Sequence, residues 1–260
     1  MGKIYVYTLG YNLVSETAES VRRLYEQNDK RDFTHYLINL GFPLEKGDEI
    51  PTNIEKAKDN NTEKLKELAA LYGSIYIKIN NVGVSQNTAT IYRTIKPTDD
   101  DVLCSCEPDE VQVEGGWITA QAKVLGGNRF GYCAPILQEA IPVLVQSKLA
   151  IPETVNGINI FLMKGSINYG NIAYSGKFLN AVGGVPYLPQ APIYGYLESA
   201  LEFHLRKLKM EWCILKDYTT IHTNVPKLYR EWKNYLILEH PEIAQISFEN
   251  WLTKKRNGEL

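Results

Sequence analysis

The first half of the chain alternates two kinds of segment. "KIYVYTLGY" is β-rich and apolar, and "SETAESVRRLYEQN" follows with carboxylates at its start and Val21, Leu24 and Tyr25 at helical spacing. The alternation repeats. "FTHYLINLGF" reads as a strand, "TEKLKELAALYG" as a helix with Thr62 as N-cap and Gly73 just past its end, and "SIYIKINNVG" as a strand. "SQNTATIYRTI" is then a helix and "DVLCSC" a fourth strand, while the polar stretch from Leu44 to Asn61 reads as a long loop. Strands alternating with helices imply βαβ units and an α/β fold with a mostly parallel sheet. In such open sheets ligands bind beyond the carboxyl ends of the strands. The segments "TLGYN", "NLGFP", "NNVGVSQN" and "EPDE" are therefore expected on one rim.

The second half is less regular. "EGGWITAQAKVLGG" reads as a helix, "NRFGYCAPIL" as a strand, and Pro142 to Pro152 as a mixed connector. "GINIFLMKGSINYGNIAYSGKFLNAVGG" alternates β-rich runs with Gly, "YLESALEFHLRKLKM" is a helix with an apolar stripe, and "EWCILKDYTTIHTN" returns to strand. Val225 to Leu238 reads as a C-terminal helix. No repeat or linker divides the chain, so a single domain is expected. Its parts are residues 1–110, residues 111–223 and an extension at 224–260.

Lys plus Arg number 28 and Asp plus Glu 30, a net charge of −2, so no bulk pull draws the chain toward nucleic acid or an anionic membrane. Nucleic acid is not favoured as a partner, although "KKR" at 254–256 and "KLYREWKNYL" supply local basic surface. No run approaches the ~18 apolar residues of a membrane span, and the N-terminus lacks the apolar core of a signal peptide. Cytoplasmic residence is the expectation. The four cysteines, Cys104, Cys106, Cys133 and Cys213, include no C-x-x-C pair and read as small buried hydrophobes in a reducing compartment.

"VLCSCEPDE" runs a hydrophobic strand directly into Glu107, Asp109 and Glu110. Glu107-Pro108-Asp109 spaces two carboxylates so that both can turn toward one ligand, and hard cations such as Mg²⁺ or Mn²⁺ take such oxygens. A solvated strand end is the alternative that this stretch alone leaves open.

The succession of motifs resembles a GT-A glycosyltransferase of the broad family-2-like group that uses nucleotide sugars. The resemblance covers roughly residues 3 to 223. "YTLGYN" resembles the first strand and turn that meet the nucleotide, "LINLGF" the strand ending in an acid or amide before Gly, and "NNVGVSQNTATIYR" the Asn-x-Gly segment opening a helix. "VLCSCEPDE" sits where the family has Asp-x-Asp, here Glu-x-Asp. "AYSGKFLNAVGGVP" resembles the strand, short helix and Gly-Gly turn before the catalytic helix, "YGYLESALEFHL" that helix, and "CILKDYTTIH" the late strand ending in His.

The resemblance implies a GT-A-like (Rossmann-like) mixed sheet flanked by helices. It implies a nucleotide-sugar donor, UDP- or GDP-linked, bound by residues 1–110, and an acceptor met by residues 111–223. It assigns donor contacts to Thr8, Gly10, Tyr11, Asn39, Asn81, Gln86, Arg93 and Glu107, and a Mn²⁺ or Mg²⁺ ion to Glu107, Asp109 and His222. Glu198 falls on the general base. Separately, Trp117, after Gly115-Gly116, is a candidate acceptor-side wall because aromatic faces stack on sugar C–H surfaces, with helix-to-core packing as the alternative. Transfer would invert the anomeric centre and require a divalent metal. The sequence departs from the family at Glu107, at Asn39 where many relatives carry Asp, and at Leu197 where an acid usually precedes the base. Two other readings stand beside this one. A nucleotidyltransferase would need a basic, Gly-rich phosphate loop, which "TLGYN" lacks. A non-catalytic sugar or nucleotide binder would fit the missing acid at Leu197. The acceptor, whether glycan, lipid-linked sugar, protein or modified nucleic acid, is not named by any motif.

Overall fold

The computed structural model describes residues 2–10, 14–41, 61–80, 84–146, 149–165, 170–185 and 197–223. The loop expected at Leu44–Asn61 (up to the helix that starts at Asn61), the helix expected at Val225–Leu238 and the basic 254–256 run lie outside the described residues.

Three βα units and a fourth strand build the first half. They comprise β1 (Ile4–Gly10), α1 (Val14–Gln27), β2 (Thr34–Gly41), α2 (Asn61–Tyr72), β3 (Ile75–Asn80), α3 (Val84–Ile95) and β4 (Val102–Ser105). The second half adds β5 (Glu110–Gln112), α4 (Trp117–Leu125), β6 (Phe130–Leu137), a 3₁₀ turn at Gln138–Ala140, and α5 (Ile141–Gln146). It continues with β7 (Ala150–Val155), β8 (Ile158–Met163), β9 (Ala173–Ser175), α6 (Gly176–Val182), α7 (Leu197–Leu208) and β10 (Glu211–His222). The strands form one sheet in the order β3-β2-β1-β4-β9-β6-β10-β8-β7, with β5 on β10. β1 pairs in parallel with β2 and β4, and β6 with β10, while β9 runs antiparallel between β4 and β6. One mixed sheet thus joins both halves. The ends of β1 to β3 are level, because Gly10 lies opposite Asn39 and Gly41 opposite Asn80.

Alternation along the strands loads both faces. Ile4, Val6, Val102 and Cys104 point toward α1 and α4, while Tyr7, Leu9 and Leu103 point toward α3, α6 and α7. Cys104, Ala173, Cys133 and Cys213 occupy matching positions on four neighbouring strands. This row of small side chains leaves room for α4, and Cys133 Sγ lies 3.9 Å from the Gln121 carbonyl. Bulkier residues there would hold the helix off the sheet.

Three features differ from the sequence expectation. The Pro142–Pro152 connector contains α5 and the start of β7, and β7 and β8 form a hairpin closed by Asn156 (φ 49°) and Gly157 (φ 79°). Asn-Gly with both residues left-handed matches the twist of the flanking strands. The acids after β4 do not end in solvent, because Glu110 begins the additional strand β5. The α2 helix starts at Asn61, so Thr62 lies inside it rather than capping it, while Gly73 (φ 70°) follows its end.

Asp101 ties β4 to β1. Its carboxylate accepts from Lys3 N (2.7 Å) and Thr98 N (2.7 Å), and the residue is 5% exposed. Burial pushes its pKa up, but the Thr98 and Lys3 hydrogen bonds outweigh it and leave the carboxyl below its usual value. Asp101→Asn is expected to cost about 1.5–3 kcal/mol in denaturant unfolding near neutral pH, the range for a hydrogen bond to a charged group. A lowered carboxylate stabilises above its unfolded value, about 3.9, and loses that contribution as pH falls through the folded value. The gap between wild type and variant should therefore close in acid, and a pH-independent gap would contradict this role.

Candidate active site

The acidic run expected from the sequence lies on the rim beyond β4. At the end of the strand, Cys106 N donates to the Tyr7 carbonyl (2.8 Å), which carries the chain on beside β1. The turn Glu107-Pro108-Asp109-Glu110 closes when Glu110 N donates to the Glu107 carbonyl (3.3 Å). Neutral groups hold its backbone. Ser20 Oγ donates to the Glu107 carbonyl (3.1 Å), Glu107 N to Asn171 Oδ1 (2.8 Å), and Thr223 N and Oγ1 to the Asp109 carbonyl (2.8 and 3.1 Å).

β5 fixes the other acid. Its antiparallel register on β10 sets Glu110 opposite His222, and the parallel register of β10 on β6 brings the 3₁₀ turn after β6 to the same place. The His222 ring is therefore flanked on both sides, with Nε2 3.4 Å from Glu110 Oε1 and Nδ1 bonded to Glu139 Oε1. The Gln112 and Thr220 side chains lock this pairing, Thr220 Oγ1 donating to Gln112 Oε1 (2.8 Å) and Gln112 Nε2 to the Thr219 carbonyl (2.9 Å).

The site is electrostatically unbalanced. Among the described residues no Lys or Arg pairs with Glu107, Asp109 or Glu110, and His222 is the one cationic group in reach. Burial, then repulsion from Glu110 and Asp109, pushes the Glu107 carboxyl up to about 8. Burial also raises Glu110, which is 7% exposed and leaves Oε2 without a hydrogen-bond partner. The bond to Glu110, aided by Glu139 and opposed by burial, raises His222 to about 9.

These groups fit a hard divalent cation in donor chemistry, being carboxylate oxygens in excess of positive charge. Among the described residues no three His, Cys, Asp or Glu side chains are already gathered for a metal. The expected set of Glu107, Asp109 and His222 is thus not assembled as a three-ligand cluster, and His222 is held between Glu110 and Glu139 instead.

The remaining expected site residues divide. Asn39 sits at the rim end of β2, with Nδ2 donating to Thr62 Oγ1 (3.1 Å) and the Tyr76 hydroxyl (2.8 Å). Gly10 is at the matching end of β1, close against Leu65. Tyr11 and Asn81 lie outside the described residues, as do the side chains of Gln86 and Glu198, whose backbones belong to α3 and to the first turn of α7.

Three assignments are corrected. Thr8 is fully buried, its hydroxyl 3.0 Å from Nε2 of His35, which burial drives down to about 3 and keeps neutral. Arg93 lies in the last turn of α3, carried by the helix rise roughly 13 Å from the rim where that helix begins. There it donates to Thr90 Oγ1. Trp117 is 1% exposed and is no acceptor wall. The indole packs in the core under the acidic turn, lining with Ser20, Cys106, Glu110 and Asn171 a cavity of about 10 Å³. Sequence reasoning passed over Asn171, Glu139 and the buried role of Glu110. Only Glu110 carried a signal, as the third acid of its run.

No protein-family model and no curated protein matches the sequence. Solved structures do match. A mannosyltransferase from Pyrobaculum calidifontis in complex with GDP-Man and Mn²⁺ superposes with a TM-score of 0.62 at 13% identity, over 94% of this chain and 63% of that one. GalNAc-T7 with UDP, GalNAc and Mn²⁺ gives 0.57 at 12% identity, over 95% of this chain and 52% of that one. A glucosyl-3-phosphoglycerate synthase from Mycobacterium tuberculosis with Mg²⁺ and UDP gives 0.51 at 12% identity, over 95% and 81%. The chain thus spans between half and two thirds of the first two. At these identities the likeness is one of architecture, and the architecture is the GT-A fold of nucleotide-sugar glycosyltransferases.

Proposed function

We propose that this chain is a metal-dependent glycosyltransferase that moves a sugar from a UDP- or GDP-sugar to an acceptor hydroxyl with inversion. The observation that carries the reading is the acidic turn at the carboxyl end of β4, whose three carboxylates no Lys or Arg balances among the described residues, within a GT-A sheet. All three solved relatives named above were determined with a divalent metal and a nucleotide or nucleotide sugar. A bound Mn²⁺ or Mg²⁺ would supply the positive charge that stabilises a diphosphate leaving group.

Each residue then has a task. Asp109, half-exposed beside the rim, and Glu107 hold the cation, and Glu107 gives up its proton to do so. His222, kept at the site by Glu110 and Glu139, lies at the edge toward the diphosphate. Gly10 and Asn39, both buried, end β1 and β2 at the nucleotide side of the rim, where Asn39 holds Thr62 and Tyr76. Glu198, in the first turn of α7, accepts the proton of the attacking hydroxyl. Attack in a single displacement inverts the anomeric carbon. Four free, buried cysteines fit a reducing compartment such as the cytoplasm. Among the described residues no helix is long and apolar enough to cross a membrane.

A non-catalytic nucleotide-sugar binder is the second reading, favoured by Leu197 in place of the usual acid. The two separate on Glu198→Gln. Under the transferase reading this variant keeps Mn²⁺-dependent nucleotide affinity while sugar transfer, read as released diphosphate, falls roughly 10²–10⁴-fold, the range for general-base loss. Asp109→Asn should lower transfer by about 10²–10³-fold through lost stabilisation of the leaving group. Unchanged rates in both variants would remove the assignment.

The pH dependence provides a separate check. A metal competes with the proton on its ligand, so Mn²⁺ affinity should rise as pH climbs toward about 8, where Glu107 ionises in the metal-free protein. Calorimetry in buffers of different ionisation enthalpy should register proton release at pH 7. Affinity that is flat between pH 6 and 8 without proton release would exclude Glu107 as a ligand.

A further inference from the structure

The segment before β9 is shaped against the acidic turn. Asn171 is 2% exposed and holds a left-handed conformation (φ 47°), which Asn tolerates better than most residues. Its side chain and its carbonyl serve different partners. The side-chain Oδ1 accepts from Glu107 N (2.8 Å), while the backbone carbonyl accepts from Nε2 of the fully buried Gln121 (2.7 Å). Next to it, Ile172 O accepts from Ser105 N (2.8 Å). On the other side Gly170 leaves space for an acid, because a Cβ there would fall 1.9 Å from Glu110 Oε2. Residues 170–172 therefore follow residues 105–110 group by group: a gap for the Glu110 carboxylate, an acceptor for the Glu107 amide and an acceptor for the Ser105 amide.

We propose that Asn171 is a positioning residue for the metal ligand Glu107, and that Gly170 serves the same end by admitting the Glu110 carboxylate behind it. The inference rests on the reading of Glu107 and Asp109 as cation ligands. Glu107 directs its side chain from a peptide held at two points, with Asn171 taking its N–H and Ser20 its carbonyl. Pro108 follows at once and restricts Glu107 to extended backbone. Orienting partners outside the ligand shell typically contribute about 10–100-fold to metal affinity. With the Asn171 acceptor removed, the peptide before Glu107 is free to turn and the carboxylate leaves Asp109.

The test uses the full chain titrated calorimetrically with Mn²⁺ alone and with Mn²⁺ plus UDP or GDP, alongside thermal unfolding of the metal-free protein. Asn171→Gly keeps the left-handed backbone and deletes only the side chain. It should fold, and should bind Mn²⁺ with nucleotide about 10–100-fold more weakly than wild type. Asn171→Asp keeps both acceptor and conformation and should recover most of that loss. A folded Asn171→Gly variant that binds as wild type does would overturn the inference while leaving the metal site intact. Wild-type protein that binds no Mn²⁺ with either nucleotide would instead remove the metal reading itself. Should Asn171→Gly not fold, Gly170→Ala decides. Its methyl displaces the Glu110 carboxylate, so folded protein with unaltered Mn²⁺ affinity would also overturn the proposal.

Discussion

Negative charge concentrated at the end of one strand is the constraint around which the rest is arranged. Glu107, Asp109 and Glu110 follow β4 within a single turn, and Glu139 approaches from the end of β6. Carboxylates removed from water need donors or cations, and the described part of the protein supplies one imidazole and a set of neutral groups. Hydroxyls and amides of Ser20, Asn171 and Thr223 fix the backbone of the turn without cancelling its charge. The result is rigid in its main chain and unbalanced in its side chains.

The placement of His222 shows how far a local feature depends on sheet register. Its partner Glu110 arrives only because β5 folds back antiparallel on β10, and Glu139 only because β6 runs parallel to it. A shift of one residue in either pairing would turn the imidazole to the opposite face. The long strand β10 therefore links the two halves chemically as well as mechanically. It carries core residues Trp212 to Leu215 at one end and the charged cluster at the other.

The first half was readable because its strands alternate and its helices are amphipathic. Ile4 and Val6 against Tyr7 and Leu9 announce two covered faces, and the order of β1 to β4 follows. The acidic turn could be located because a hydrophobic strand runs straight into it. The failures have physical causes. β5 and β9 are three residues long, too short to show a period, and exist only through pairing. The β7–β8 hairpin was missed although Asn156-Gly157 marks it, because Pro152 and Glu153 disguise the strand before it. Trp117 looked like a sugar platform because it follows two glycines, but the helix it opens lies on the sheet with that residue inward. Asn171 carried no sequence signal, since its meaning comes from Glu107, which is 64 positions away in the chain.

The row formed by Cys104, Ala173, Cys133 and Cys213 has a consequence beyond packing. Burial raises the thiols of Cys104, Cys106 and Cys133, so they stay protonated and shielded in the folded molecule. Oxidants and electrophiles need an exposed thiolate and reach these sulfurs only when the sheet parts from α4. The same small atoms that let the helix lie close thus separate intact molecules from opened ones by chemical fate. In a folded copy these thiols are protected, whereas opening of the sheet exposes them to modification.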